Sequence, residues 1–180
     1  MRKLLTTSLL CTALVSFSAQ AETPMASANV INNAGNSIGK IDIQQGPEGI
    51  LMHVNLKDLP AGKHGFHIHS VGDCSDHDHF KNASGHVRES DQLHGLLNPN
   101  GPELGDLPNL IVPENGNVEI ELYADELELV SHDGEVEEET LLDADGSAFM
   151  IHADPDDHVT QPIGGAGARI ACGVIKKINQ

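Results

Sequence analysis

Seven residues of this chain have side chains that bind metal ions and spacings that let them do so together: His67, His69, His86, His94, Glu103, Asp106 and His152. In Phe66-His67-Ile68-His69 the histidines alternate with apolar residues. A strand here turns Phe66 and Ile68 to a core and both imidazoles to the opposite face. Their Cα atoms then stand about 7 Å apart, near enough to share one ion. Taken alone, His-x-His equally describes two exposed strand residues. His86, His94, Glu103 and Asp106 follow in a segment poor in apolar residues, and imidazole and carboxylate ligands from one long loop suit a tetrahedral zinc site. In Phe149-Met150-Ile151-His152 a histidine again lies opposite apolar residues, offering a further imidazole to the first ion.

The elements that must hold these groups read as strands. Ile50, Met52, Val54 and Leu56 alternate with His53 and Asn55; Val118, Ile120 and Leu122 alternate with Glu119 and Glu121; Ile41 and Ile43 flank Asp42. Ile170, Cys172 and Val174 line one side of a last strand. Turn clusters (NNAGN, QQGPEG, LPAG, NPNGP, PENGN) separate these runs, and no amphipathic helix or internal repeat interrupts them. Short strands with Gly/Pro punctuation predict an all-β antiparallel sandwich or barrel. Residues 71–109 lack alternation and are expected to form a long loop, as are 154–167; loops of that length usually carry function. The acidic run 133–139 reads as a solvated turn.

Arg2 and Lys3, an apolar run over 4–17 and Ala19-Gln20-Ala21 form the pattern of a signal peptide, residues 1–21, cleaved before Glu22. The run is too short and too rich in Ser and Thr to span a bilayer. Residues 22–180 then suit one domain. Loss of Arg2 and Lys3 takes the formal charge from −17 to −19, which disfavours nucleic acid and anionic membranes as partners. Cys11 leaves with the leader. Cys74 and Cys172 remain, and an even pair in an exported chain predicts a disulfide.

The segments GKHGFHIHSVGDC, SGH, LHG, LGDLPNL, DADGSAFMIHADPDD and GGAGARIACGVI together resemble the copper,zinc superoxide dismutases, nearest to the bacterial secreted branch. The resemblance spans roughly 28–178, with several motifs in order and spacing. It implies a Greek-key β-barrel or sandwich with two long functional loops, and dismutation of superoxide to oxygen and hydrogen peroxide by a redox-cycling copper. It further implies copper on His67, His69, His86 and His152, with His86 bridging to zinc, and His94 and Asp106 as further zinc ligands. Asp156 matches the carboxylate that links a copper histidine to a zinc histidine, and Arg169 matches the arginine that docks the anion. Cys74 and Cys172 match the family disulfide, and His64 a structural histidine. With the leader, the bacterial motifs imply the periplasm; monomer and homodimer are both open.

Three stretches depart from the family. Glu103 stands where a zinc histidine is usual, so it either binds zinc with altered affinity or geometry or turns to solvent. Val87-Arg88-Glu89-Ser90 replaces an aromatic-Asn-Pro run after His86. Asp76-His77-Asp78-His79 is either an accessory copper or zinc site or a solvated loop. Lys63 and Lys81 are candidates to steer superoxide, while His132 and His158 receive no role. A copper-binding or copper-buffering protein with little turnover is the alternative function, though Arg169 and Asp156 are more than a store requires. A zinc hydrolase is more distant, since four imidazoles on one ion leave no open hydrolytic position.

Overall fold

The structure, a computed structural model, describes residues 25–130 and 140–178. Residues 1–21, His132 and the run 133–139 lie outside the described residues. Nine strands occur among those described: β1 (Ala26–Asn32), β2 (Ser37–Gln45), β3 (Gly49–Leu56), β4 (Gly62–His64), β5 (Phe66–His69), β6 (Leu110–Val112), β7 (Val118–Asp125), β8 (Ala148–His152) and β9 (Arg169–Lys177). The only helical turn among them is a 3-10 turn, Lys81–Ala83. No helix of the described residues is long and apolar enough to cross a membrane.

Hairpin chemistry starts the sheet. Between β1 and β2, the Asn32 side-chain oxygen accepts from the backbone N–H groups of Ala34 and Asn36, and Gly35 takes a φ of 75° that its missing Cβ permits. Seven strands join antiparallel in the order β5-β8-β9-β1-β2-β3-β7, and β4 pairs with β6 beside them. The expected all-β, Greek-key architecture is the one formed. The periodicities of β2, β3 and β7 hold: Ile41, Ile43, Ile50, Met52, Val54 and Leu56 are buried, while Leu51, Asn55, Glu119 and Glu121 are exposed. These apolar residues pack with Phe66, Ile68, Phe149, Ile151, Ala171 and Ile175 in one core.

The last strand divides its residues differently from the expectation. Ala171 and Ile175 enter the main core, whereas Cys172 and Val174 belong to a smaller cluster with Cys74, Phe80, Ala83, Ala148, Met150 and Ile31. Ile170 packs against the main core instead of sharing their side. At this end the sheet is buried on both faces, because the loop after β5 folds back over it. The Cys74–Cys172 disulfide anchors that loop to β9.

Candidate metal centre

β5 is the element on which the site is built. One edge pairs with β8, matching His67 to Met150 and Ile68 to Phe149. Its other edge receives the long loop through two isolated bridges, His69 with His86 and His67 with Asp106. Gly105 makes this approach possible. Its N–H donates to Val87 O at 2.7 Å and its carbonyl accepts from Ile68 N at 2.8 Å, while a Cβ there would run into the Ile68 carbonyl. Hence His67 and His69 occupy the face opposite the core, as the alternation requires, yet the loop covers them and both are fully buried.

Three imidazoles are held as neutral rings with a lone pair free. His67 Nε2–H donates to Asp156 Oδ2 at 2.9 Å, His69 Nδ1–H to Ser84 O at 2.9 Å, and His152 Nδ1–H to Gly167 O at 3.1 Å. Their other nitrogens, His67 Nδ1, His69 Nε2 and His152 Nε2, have no hydrogen-bond partner, and neither does His86 Nε2. Fixing one ring nitrogen by a hydrogen bond sets the tautomer and aims the other, as in metal-binding histidines. The ligand atoms of His67, His69 and His152 lie within 4.8 Å of one another, and the His86 ring centroid stands 4.1 Å from His67 and 5.1 Å from His69. Burial lowers His67 to about 4 and His152 to about 3, and it holds His69 well below its ordinary value. Four buried lone pairs without donors are costly unless a cation accepts them, so these residues fit a copper ion.

The opposite nitrogen of His86 meets a different environment. His86 Nδ1 lies 2.8 Å from Glu103 Oε2 and 3.1 Å from Asp106 Oδ1, and His94 Nδ1 lies 2.7 Å from that same Asp106 oxygen. Asp106 is aimed by its other oxygen, which accepts from the N–H groups of Gly95 and Glu103. Glu103 therefore does not turn to solvent; its side chain is 11% exposed and its Oε2 is 3.9 Å from His94 Nδ1. His67, His86, His94 and Asp106 form a second set with ligand atoms within 4.8 Å of one another, and Glu103 adjoins it through His86. Tetrahedral zinc with bonds near 2.0–2.1 Å needs ligand atoms about 3.3 Å apart, so His86, His94, Asp106 and Glu103 fit zinc after shifts of up to about 0.6 Å, the 2.7–3.1 Å pairs opening and the 3.9 Å His94–Glu103 pair closing. Burial opposes charge on His94, but hydrogen bonds to Asp106 and Asp156 outweigh it and raise the ring to about 10. His86 is raised for the same reason, with burial again opposed by Asp106 and Glu103.

Asp156 joins the two environments. Its Oδ2 accepts from His67 Nε2 and its Oδ1 from His94 Nε2, at 2.9 and 3.1 Å. Burial alone would raise this carboxyl, but those two hydrogen bonds hold it well below the usual carboxylate range. Sequence reasoning missed the groups that position it. The Asn109 side chain donates to Asp156 O and accepts from Asp156 N, both at 2.8 Å, and its amide also meets His158 Nε2 at 3.0 Å. Gln161 was missed too; its Nε2 donates to His94 O and its Oε1 accepts from His94 N. Asn109 lies within the LGDLPNL motif, which was a signal to follow; Gln161 had none.

Arg169 is tied by Nη1 to Phe80 O at 2.6 Å and by Nη2 to Ser84 O at 2.7 Å, so one carbonyl orients both the arginine and His69. Arg169, Lys81, His79, Asp78, Ala168 and Gly167 line one cavity of about 320 Å³. Lys63 sits instead on β4, paired with Ile111. His64 spans the carbonyls of His152 and Pro60 at 2.8 and 2.9 Å, a structural position. Asp76 caps the 3-10 turn through Lys81 N and Asn82 N, and among the described residues no group of three ligand atoms includes His77 or His79.

Residues 37–175 match the family model for copper/zinc superoxide dismutase. Two relatives named superoxide dismutase [Cu-Zn] come from Caulobacter vibrioides, 47% identical over 84% of this chain and 85% of that protein, and from Aquifex aeolicus, 39% identical over 93% and 96%. Among solved structures, a SOD-like protein from Bacillus subtilis superposes with a TM-score of 0.76 at 37% identity, covering 82% of this chain and 96% of that one. The Cu/Zn superoxide dismutase from Brucella abortus gives 0.63 at 27%, covering 84% and 99%. An antiparallel β fold with a histidine pocket against a histidine–carboxylate pocket suits a metal-binding protein, and the relatives are metal-dependent oxidoreductases by name. The chain belongs to the copper/zinc superoxide dismutase family.

Proposed function

We propose that this chain dismutates superoxide, and that His67, His69, His86 and His152 would hold copper while His86, His94, Asp106 and Glu103 would hold zinc. The observation that carries the reading is the set of four buried ring nitrogens without partners, aimed by bonds at the other nitrogen of His67, His69 and His152. Copper, when bound, supplies a one-electron couple, so that two superoxide ions and two protons yield one oxygen and one hydrogen peroxide.

The chain's own residues do the rest. His86 carries and returns a proton at Nε2, while the Glu103 and Asp106 side keeps its Nδ1 engaged and the ring in place. Arg169 binds the superoxide anion by charge-assisted hydrogen bonds, its guanidinium held in position by the Phe80 and Ser84 carbonyls. A chain this acidic repels an anion at long range, so the positive field at the Arg169 cavity must dominate locally. Dismutases are a stock example of such steering, in which focusing raises on-rates by roughly 10- to 1,000-fold.

Residues 1–21 act in this reading as a cleaved signal peptide, delivering residues 22–180 as one domain to the periplasm, where the Cys74–Cys172 disulfide is stable. Its partner is the small anion, and it works as a monomer or homodimer. The copper-store alternative is not favoured, because Arg169 and Asp156 are both held in place by specific bonds that storage does not need.

Reconstitution of the mature protein with copper alone and with copper plus one equivalent of zinc, with metals quantified, tests the reading. Activity that needs copper and rises with stoichiometric zinc is expected. One tightly bound copper without turnover would return the storage reading to the front.

A further inference from the structure

Two of the departures from the family pattern lie apart in sequence and meet in space. Glu103 Oε2 faces His86 Nδ1 at 2.8 Å, and its other oxygen, Oε1, faces Arg88 Nε at 3.7 Å. The backbone holds this pairing in register. Arg88 Nη1 donates to Gln92 O at 3.3 Å, and Gln92 Oε1 accepts from Glu89 N at 3.1 Å and Leu104 N at 3.2 Å, tying the chain beside Arg88 to the chain beside Glu103. Val87, which precedes Arg88, and Gly105, two residues after Glu103, are joined by the hydrogen bond from Gly105 N to Val87 O.

We infer that Arg88 is a positioning residue for the second metal centre, holding Glu103 Oε1 so that Oε2 alone faces the ion. A carboxylate can bind through one oxygen or two, and its side chain is more flexible than an imidazole. Holding one oxygen makes Glu103 a single-atom ligand, which is what a histidine offers and what four-coordinate zinc accepts. The guanidinium also offsets the charge of a site that carries two carboxylates. The inference rests on Glu103 as a zinc ligand. Arg88 is 49% exposed, and ion pairs at such exposure contribute little to folding, so the effect is read on the metal.

The test uses the copper-loaded mature protein, with zinc affinity measured by chelator competition and cobalt(II) absorption at the second centre as an independent readout. Arg88→Met should weaken zinc roughly tenfold, the size seen when a group orienting a ligand is lost. Its cobalt(II) band should weaken toward that of a higher coordination number. Arg88→Lys should recover most of the affinity, since at this distance the contact is one of charge. In a Glu103→His background, which has no second oxygen to hold, Arg88→Met should leave zinc affinity unchanged or improved. An equal loss in both backgrounds, or no loss in the first, overturns the inference. Glu103→Ala separates the premise: unchanged zinc affinity there removes Glu103 from the ligand set and the role of Arg88 with it, whereas a loss there with none in Arg88→Met leaves the ligand standing and sinks only the positioning role.

Discussion

The two pockets share a wall, yet they treat the same side chain in opposite ways. Histidines facing the first are buried with carbonyls or a single carboxylate behind them, and burial dominates: His67 falls to about 4, His152 to about 3, and His69 well below its ordinary value. Histidines facing the second are equally buried, but carboxylates overcome burial and raise His94 to about 10 and His86 above its usual value. A pocket of neutral donors suits an ion whose own charge changes during turnover. A pocket with two carboxylates suits an ion whose charge is fixed. His86 belongs to both through its two nitrogens, and Asp156 connects them from behind.

The sharpest way to break this contrast is to remove a ligand that belongs to one pocket alone. His152→Ala should abolish copper retention and bring dismutase activity to background, while zinc still binds stoichiometrically; metal analysis beside an activity assay checks both. Loss of zinc as well would mean the pockets do not form independently. Asp156→Asn should do what His152→Ala does not and weaken both metals, each by roughly 10- to 100-fold, because its two oxygens serve a ring from each pocket. An effect on one metal only would show that the carboxylate orients one ring and merely touches the other.

Much of this contrast was legible in the sequence, and its mechanism was not. The period of β5 and β8 put His67, His69 and His152 on one face because side-chain alternation is a local property of a strand. The loop residues His86, His94, Glu103 and Asp106 stood out by residue type in a segment poor in apolar side chains, and only the resemblance divided them between copper and zinc, since residues 71–109 have no periodicity to read. What aims the rings stayed hidden: Ser84 O and Gly167 O are main-chain carbonyls, which leave no mark in a residue string. Gln161 acts on the backbone of His94 from a distant loop, and Arg88 reaches Glu103 only once that loop is folded. The side assigned to Ile170, Cys172 and Val174 misled for a related reason, since both faces of β9 are buried and an apolar residue fits either.

Metal-free protein should show the contrast as two limbs in its pH dependence. For His67 and His152 the folded value lies below the ordinary 6.5, so the unfolded chain binds more protons in between and stability is lost as pH falls from about 6.5 to about 4 or 3. For His94 the folded value lies above 6.5, so its contribution is full below that pH and is lost as pH rises toward about 10. Urea midpoints should therefore peak between these limbs and fall toward both acid and alkaline pH. Zinc should suppress the alkaline limb, because a metal-bound ring nitrogen no longer takes a proton. A flat profile from pH 4 to 9 would contradict the assignment of opposite electrostatics to the two pockets.

The smallest expected effect concerns which pocket the substrate reaches. The cavity lined by Lys81 and Arg169 is also lined by Gly167, whose carbonyl holds His152, and Arg169 shares the Ser84 carbonyl with His69. It therefore lies beside groups that orient His152 and His69 of the neutral pocket, and no residue of the carboxylate pocket lines it. Lys81 is exposed and shares the cavity wall with Asp78, so part of its charge is offset and the rest is screened by salt. Lys81→Gln should lower kcat/KM by about two- to threefold at low ionic strength and by nothing measurable near 0.5 M salt. Lys63→Gln, on β4 away from that cavity, is the control and should change neither value. If the two variants behaved alike, steering would come from the whole surface and not from this cavity, and the contrast between the pockets would end at the metals instead of extending to the approach of the substrate.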